Sequence, residues 1–168
     1  MTADFIAVNV EDQRWTDVNI EALAEIAFMA TLKHLNISRA DFEISLLACG
    51  DARIADLNAE FREKSTATNV LSWPSQERAR PGEHPEPPAP DPTGMVEELG
   101  DIAISYDTCL REAQAGHKPI NEHITHLLIH GLLHLLGYDH ISDQDAAIMQ
   151  GLEVELLGKL GISDPYSN

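Results

Sequence analysis

Three things are scarce in this 168-residue chain, and each scarcity argues something away. Cysteine occurs only at Cys49 and Cys109, far apart and in no C-x-x-C arrangement, which excludes a disulfide-stapled secreted scaffold. Basic residues number 11 against 28 acidic ones, a formal charge of −17. Generic electrostatic capture of nucleic acid is therefore disfavoured, because Lys and Arg supply phosphate affinity. No apolar run reaches the ~18 residues of a membrane span, and the opening MTADFIAVNV lacks the basic-then-apolar pattern of a signal peptide. The expectation is a reduced, cytoplasmic protein with no membrane partner.

What is present fits a folded protein. Apolar residues make up 43% and charged residues 23%, and the apolar ones fall in periodic runs, so disorder throughout is disfavoured. The length predicts one domain, 1–168, able to bury a core without staples. The charge is uneven. Residues 1–80 hold 8 basic and 13 acidic side chains, and residues 81–168 hold 3 and 15. Basic chemistry must come mostly from the first half.

Alternation over Ile6, Val8 and Val10 predicts a strand, and apolar spacing from Thr16 to His34 predicts a helix. Phe42 to Cys49 reads as a second strand ended by Gly50, Ile54 to Phe61 as a short helix, and Asn69 to Trp73 as a strand stopped by Pro74. Residues 75–95 hold six prolines and few apolar residues, which predicts a solvated, mobile loop inserted at the surface. Strand character resumes from Leu99 to Ser105, and a helix follows from Tyr106 to about Ala115. From Pro119 to Leu136 the pattern is apolar nearly all round, as in a buried helix. Ser142 and Asp145 open a final helix with apolar positions Ile148, Leu152, Leu156 and Leu160, closed by Gly161. Strands alternate with helices, then helices dominate, so the class is α+β or α/β with a small sheet.

The buried helix carries one polar stripe, His123, His126, His130 and His134. His130 and His134 are one turn apart on one face, Gly137 lets the chain turn back, and His140 can approach from the side. Three neutral imidazoles suit one Zn²⁺ per chain, with a fourth position open to a water whose pKa falls toward ~7. His126 lies eight residues before His134, about 12 Å along the axis, too far for both to join His130 on one ion with bonds of ~2 Å. His123 and His126 are left to support ligands, face substrate or stand half-exposed. The competing readings are ordinary core histidines, or a closed structural zinc site using Cys49 or Cys109. Both cysteines have apolar neighbours and read as buried thiols. The spacing also matches the metzincin peptidase pattern, except that Gly131 replaces the Glu that serves there as general base. A replacement base would have to come from elsewhere, for example Asp101 or Asp139.

The segment Asn58 to Pro74 leaves a helix with Arg62 and Lys64, crosses a small polar loop and enters a strand. Arg holds a phosphate through two parallel donors, and beside a tri-His metal that suits phosphodiester hydrolysis. Alone, the segment reads better as a solvated helix end with Arg62 paired to a neighbouring Glu.

Together, Arg62-x-Lys64, the run Thr68-Asn69-Val70-Leu71-Ser72-Trp73-Pro74, Gly100-Asp101-Ile102 and the run from His130 to His140 resemble the YbeY family of bacterial endoribonucleases and rRNA maturation factors, over most of the chain. Trp73 stands where that family usually has Phe, and 75–95 looks like an insertion between two strands. The resemblance implies an α+β fold, a small mixed β-sheet packed with helices around a central metal-binding helix. It implies a metal-dependent, single-strand-specific endoribonuclease acting in 16S rRNA 3′-end maturation and ribosome quality control. Its partners would be precursor 16S rRNA and the ribosome or its proteins, with no DNA. The family's metal ligands carry over to His130, His134 and His140, with zinc as cofactor, and its functional arginine to Arg62. Catalysis would fall to Arg62 and His134, and substrate binding to Arg62 and Lys64. Two alternatives remain: a metzincin-like zinc peptidase, and a non-catalytic, metal-stabilised ribosome-assembly factor.

Overall fold

The computed structural model describes residues 5–62, 64–80 and 82–166, the side chain of Arg62 excepted. Four strands form one sheet: β1 (Ile6–Val10), β2 (Phe42–Cys49), β3 (Val70–Pro74) and β4 (Glu97–Ser105). Their order is β1-β2-β4-β3, with β1, β2 and β4 parallel and β3 antiparallel to β4 at the edge. Six α-helices accompany them among the described residues: α1 (Arg14–Asp17), α2 (Ile20–His34), α3 (Asp51–Arg62), α4 (Tyr106–Ala115), α5 (Ile120–Leu135) and α6 (Asp143–Lys159). This is the mixed class with a small mixed sheet that the sequence predicts.

The period of two in β2 explains how the layers form. Phe42, Ile44, Leu46 and Ala48 join Ile102 and Ile104 of β4 in the main core with α2, α5 and α6. The opposite face is smaller: Leu47, Leu71, Trp73 and Ala103 pack on Ile54 and Leu57 of α3. Helix α5 has no apolar stripe to align, because nine of its residues are buried all round.

Two expectations are corrected. The predicted helix over 16–34 is broken, since Asn19 takes a left-handed conformation at φ 54° and separates a one-turn α1 from α2. The Pro-rich segment is not simply a solvated loop. Its first half is tied down: Pro85 is buried, Arg78 donates from Nε to the Leu135 carbonyl at 2.9 Å, and the Gly82 amide donates to Asp145 Oδ2 at 2.9 Å. Arg78 thus satisfies a free carbonyl at the end of α5, where a cation is also favoured by the helix dipole. Residues 86–94 are largely exposed.

Gly100 sets how closely α5 meets the sheet. It sits at φ +145° beside an irregularity in the β2–β4 pairing, and a Cβ there would lie 2.2 Å from the Trp73 carbonyl oxygen and 2.8 Å from Leu135 Cδ2. Both the backbone conformation and the space demand glycine. Gly100→Ala should cost about 2–5 kcal/mol from strain and overpacking, measured by urea unfolding. In the same experiment Gly151→Ala, inside α6 with nothing within 4 Å of the added Cβ, should stabilise by about 0.5–1 kcal/mol. Equal effects from the two substitutions would refute this account.

Candidate functional site

The site is built from the last two turns of α5 and the turn after it. Gly131 opens the packing: a Cβ at that position would come within 3.2–3.3 Å of Ile102 and Ser72 Oγ, so its absence lets α5 lie against β3 and β4. The next turn carries His134. The helix then ends, Gly137 adopts φ +106°, and the Tyr138 amide returns to the Leu133 carbonyl at 3.0 Å. Asp139 Oδ1 accepts from the His140 amide at 2.7 Å and fixes the reversal that brings His140 back.

The expected triad is assembled. One ligand atom from each of His130, His134 and His140 lies within 4.8 Å of the others, a group that could hold a metal ion. Nε2 of His130 and Nε2 of His134 are 3.1 Å apart. Tetrahedral bonds of about 2.0–2.1 Å to Zn²⁺ put neighbouring nitrogens about 3.3 Å apart, so the His130–His134 pair is already spaced for such an ion, with a His140 ligand atom within 4.8 Å of both. Burial, then the neighbouring His130 and His140, lowers the pKa of His134 to about 4. Its ring is therefore neutral, as a metal ligand must be.

His123 and His126 stand outside the triad. His123 Nε2 meets Glu112 Oε1 at 2.8 Å, and His126 Nε2 meets Glu153 Oε1 at 2.6 Å. Glu153 is the residue that sequence reasoning missed. It is wholly buried on α6 and also contacts Nδ1 of His130 at 3.2 Å. Burial pushes its carboxyl up, but hydrogen bonds from His126 and His130 outweigh this and hold it at about 2. The apolar pattern of the sequence points to a different face. The buried stripe of α6 is Asp145, Met149, Glu153, Leu156 and Leu157, rotated from the expected Ile148–Leu152–Leu156–Leu160 line, which is only partly buried apart from Leu156. Two acids on a buried stripe mark polar work.

The triad opens into a cleft of about 660 Å³. One wall is the edge of the sheet from Thr68 to Ser72, and the other is the anchored loop with Arg78, Arg80 and Glu83. Asp139 and Asp145 line it as well. Several expected residues fall elsewhere. Lys64 is exposed and does not line this cleft, and the Arg62 side chain lies outside the described residues. Asp101 is exposed opposite Trp73 on β4, where alternation turns it away from the face that Ile102 presents to α5, so it is no base for this site. Cys49 and Cys109 are buried and add no ligand, with burial pushing the Cys49 thiol up to about 12.

The fold and these residues define a mixed α/β protein with one histidine-rich centre, open to a cleft and able to hold a metal ion. The family profile described as Endoribonuclease YbeY matches residues 6–161, and this chain belongs to that family. It is 58% identical over 161 residues to Endoribonuclease YbeY of Ruegeria sp. (strain TM1040), covering 95% of this chain and 94% of that one. It is 57% identical over 169 residues to the protein of the same name from Ruegeria pomeroyi, covering 99% of each, and 39% identical over 175 residues to that of Sinorhizobium fredii, covering 100% and 95%. The solution structure of TM1509 from Thermotoga maritima shares the fold at a TM-score of 0.55 and 20% identity, covering 97% of this chain and 99% of that one.

The pKa values give a test of the centre itself. His134 falls from its ordinary 6.5 to about 4, so between these pH values the unfolded chain binds more protons there than the folded one. Stability of the chelator-treated protein should therefore gain from this group as pH rises from about 4 to 6.5. Against wild type, His134→Gln should show a flatter rise of melting temperature across that window. Parallel profiles would contradict the assignment.

Proposed function

We propose that this protein is a metal-dependent, single-strand-specific endoribonuclease that acts on precursor 16S rRNA during 3′-end maturation and ribosome assembly. The observation that carries the reading is the convergence of His130, His134 and His140 on the wall of an open cleft, in a chain of the YbeY family. In this reading residues 1–168 are one cytoplasmic domain, with 75–95 an insertion between β3 and β4, and its partners are RNA and the ribosome or its proteins.

His130, His134 and His140 would hold the ion. Three neutral nitrogens favour zinc over the oxygen-seeking Mg²⁺ and Ca²⁺. Zinc held there would supply Lewis acidity toward a phosphate oxygen or a water. The remaining work belongs to the chain. Arg62 holds the scissile phosphate and offsets the negative charge that grows in the transition state, with Lys64 adding attraction for the strand. The β3 edge and the anchored loop narrow the cleft and keep the RNA against the triad. Asp139 works at one remove, by holding the His140 turn through its 2.7 Å bond. A peptidase role is the weaker reading. Position 131 lacks the Glu such enzymes use, and a side chain there would press on Ile102 and Ser72.

The test compares wild type, His134→Ala and Arg62→Glu on single-stranded and duplex RNA, with bound metal measured on each. His134→Ala should lose both metal and cleavage. Arg62→Glu should keep its metal and lose about 10²–10³ in rate, as expected for removal of one transition-state donor. Duplex RNA should resist cleavage. Unchanged cleavage by His134→Ala would sink the proposal.

A further inference from the structure

Glu153 stands in an unusual place. It is 0% exposed and lies on the buried stripe of α6, where Leu156 and Leu157 fill the neighbouring positions. A leucine at 153 would continue the apolar packing without desolvating a charge. Instead a carboxylate is there, surrounded by three groups able to donate. Nε2 of His126 is 2.6 Å from Oε1, Nδ1 of His130 is 3.2 Å from Oε1, and the Tyr166 hydroxyl donates to both oxygens at 2.9 and 3.0 Å. The Tyr166 ring also meets the edge of His126, with centroids 5.6 Å apart, so the tail after α6 closes over this cluster.

An ionised carboxylate can only accept. Nδ1 of His130 must then carry the ring proton, which leaves Nε2 with the free lone pair in the neutral ring. That Nε2 is the atom 3.1 Å from Nε2 of His134. Both the tautomer of His130 and the direction of its ring are thus fixed from behind by one acid. His126 plays a different part: its Nε2 is taken up by Glu153, so it braces the carboxylate.

We propose that Glu153 is the positioning residue of the triad, holding His130 by Nδ1 so that Nε2 faces the ion, while Tyr166 and His126 fix the carboxylate in turn. The inference deepens the reading of the triad as a metal centre and does not depend on what the cleft binds. Hydrogen-bonded partners behind a metal ligand typically change affinity by 10–100-fold when mutated.

The experiment uses the full chain, stripped of metal and titrated with Zn²⁺ against a competing chromophoric chelator, with Co²⁺ absorption reporting the ligand geometry. Glu153→Gln keeps the volume and removes the charge. It should weaken Zn²⁺ binding by about tenfold or more and alter the Co²⁺ spectrum. Tyr166→Phe removes one brace at a half-exposed site and should weaken binding in the same direction by less. A residue that only glues α6 to α5 would lower the melting temperature and leave affinity and spectrum alone. Wild-type affinity in folded Glu153→Gln overturns the proposal. If Glu153→Gln does not fold, Tyr166→Phe decides: reduced affinity supports the proposal and unchanged affinity overturns it. RNA cleavage is scored separately. A wild type that binds zinc but cuts no RNA refutes the endoribonuclease reading and leaves this inference standing. A zinc-dependent nuclease whose Glu153→Gln variant binds zinc normally does the reverse.

Discussion

A helix buried on nearly every side cannot carry four histidines unless each finds a partner, and this constraint organises the molecule. Unpaired buried polar groups are costly, so α5 dictates what its neighbours must offer. Helix α4 supplies Glu112 to His123, and α6 supplies Glu153 to His126 and His130. His134 is left with His130 and His140 around it. The partners run along the helix from acid to acid and end in a group of imidazoles with no acid among its ligand atoms. Such a group is satisfied by a cation, which makes a candidate metal centre the natural end of the stripe.

The sheet supplies the other half of the constraint. Two missing side chains, at Gly131 on α5 and Gly100 on β4, allow helix and sheet to approach closely. Because backbone sets that approach, the imidazoles are presented by rigid elements, and their positions follow from the packing. His140 is the exception, since it reaches the group through a turn. That turn is pinned by the Gly137 conformation and the Asp139 bond, and the loop packs against it: a Cβ on Gly137 would sit 3.2–3.4 Å from the Cβ atoms of Arg78, Pro85 and Ala79.

Local signals were legible in the sequence, and long-range ones were not. H-x₃-H-x₅-H with a glycine at the turn needs only helical geometry and one reversal, both short in range. Strands β1, β2 and β4 also follow from local alternation and runs. Asn19 breaks a helix whose apolar spacing continues across it, because a left-handed residue leaves no mark on periodicity. Composition described the segment from 75 to 95 by its prolines, yet Arg78 is only 6% exposed at its side chain, held by a carbonyl 57 residues away. Glu153 serves a histidine 23 residues earlier, and no local pattern states such a pairing. Asp101 misled for the opposite reason. It is close in sequence to the residues that pack on α5, but in a strand the next residue points to the other face.

The charge of −17 takes on a different meaning once the cleft is seen. Glu83, Asp139 and Asp145 share that cleft with Arg78 and Arg80, so its side chains offer no strong positive field. Arg78 is already engaged with the Leu135 carbonyl and with Ser75 Oγ. A dication at the triad would then be the largest local positive charge, and it acts over a single phosphate. Affinity gained through counterion release grows with the number of phosphates neutralised, and under the proposed function that number would be small. Net charge is a property of the whole surface, whereas recognition of a scissile phosphate is a property of a few ångströms. An acidic exterior around one cationic point disfavours promiscuous binding to RNA, so under the proposed function selectivity must come from what presents the strand to the cleft.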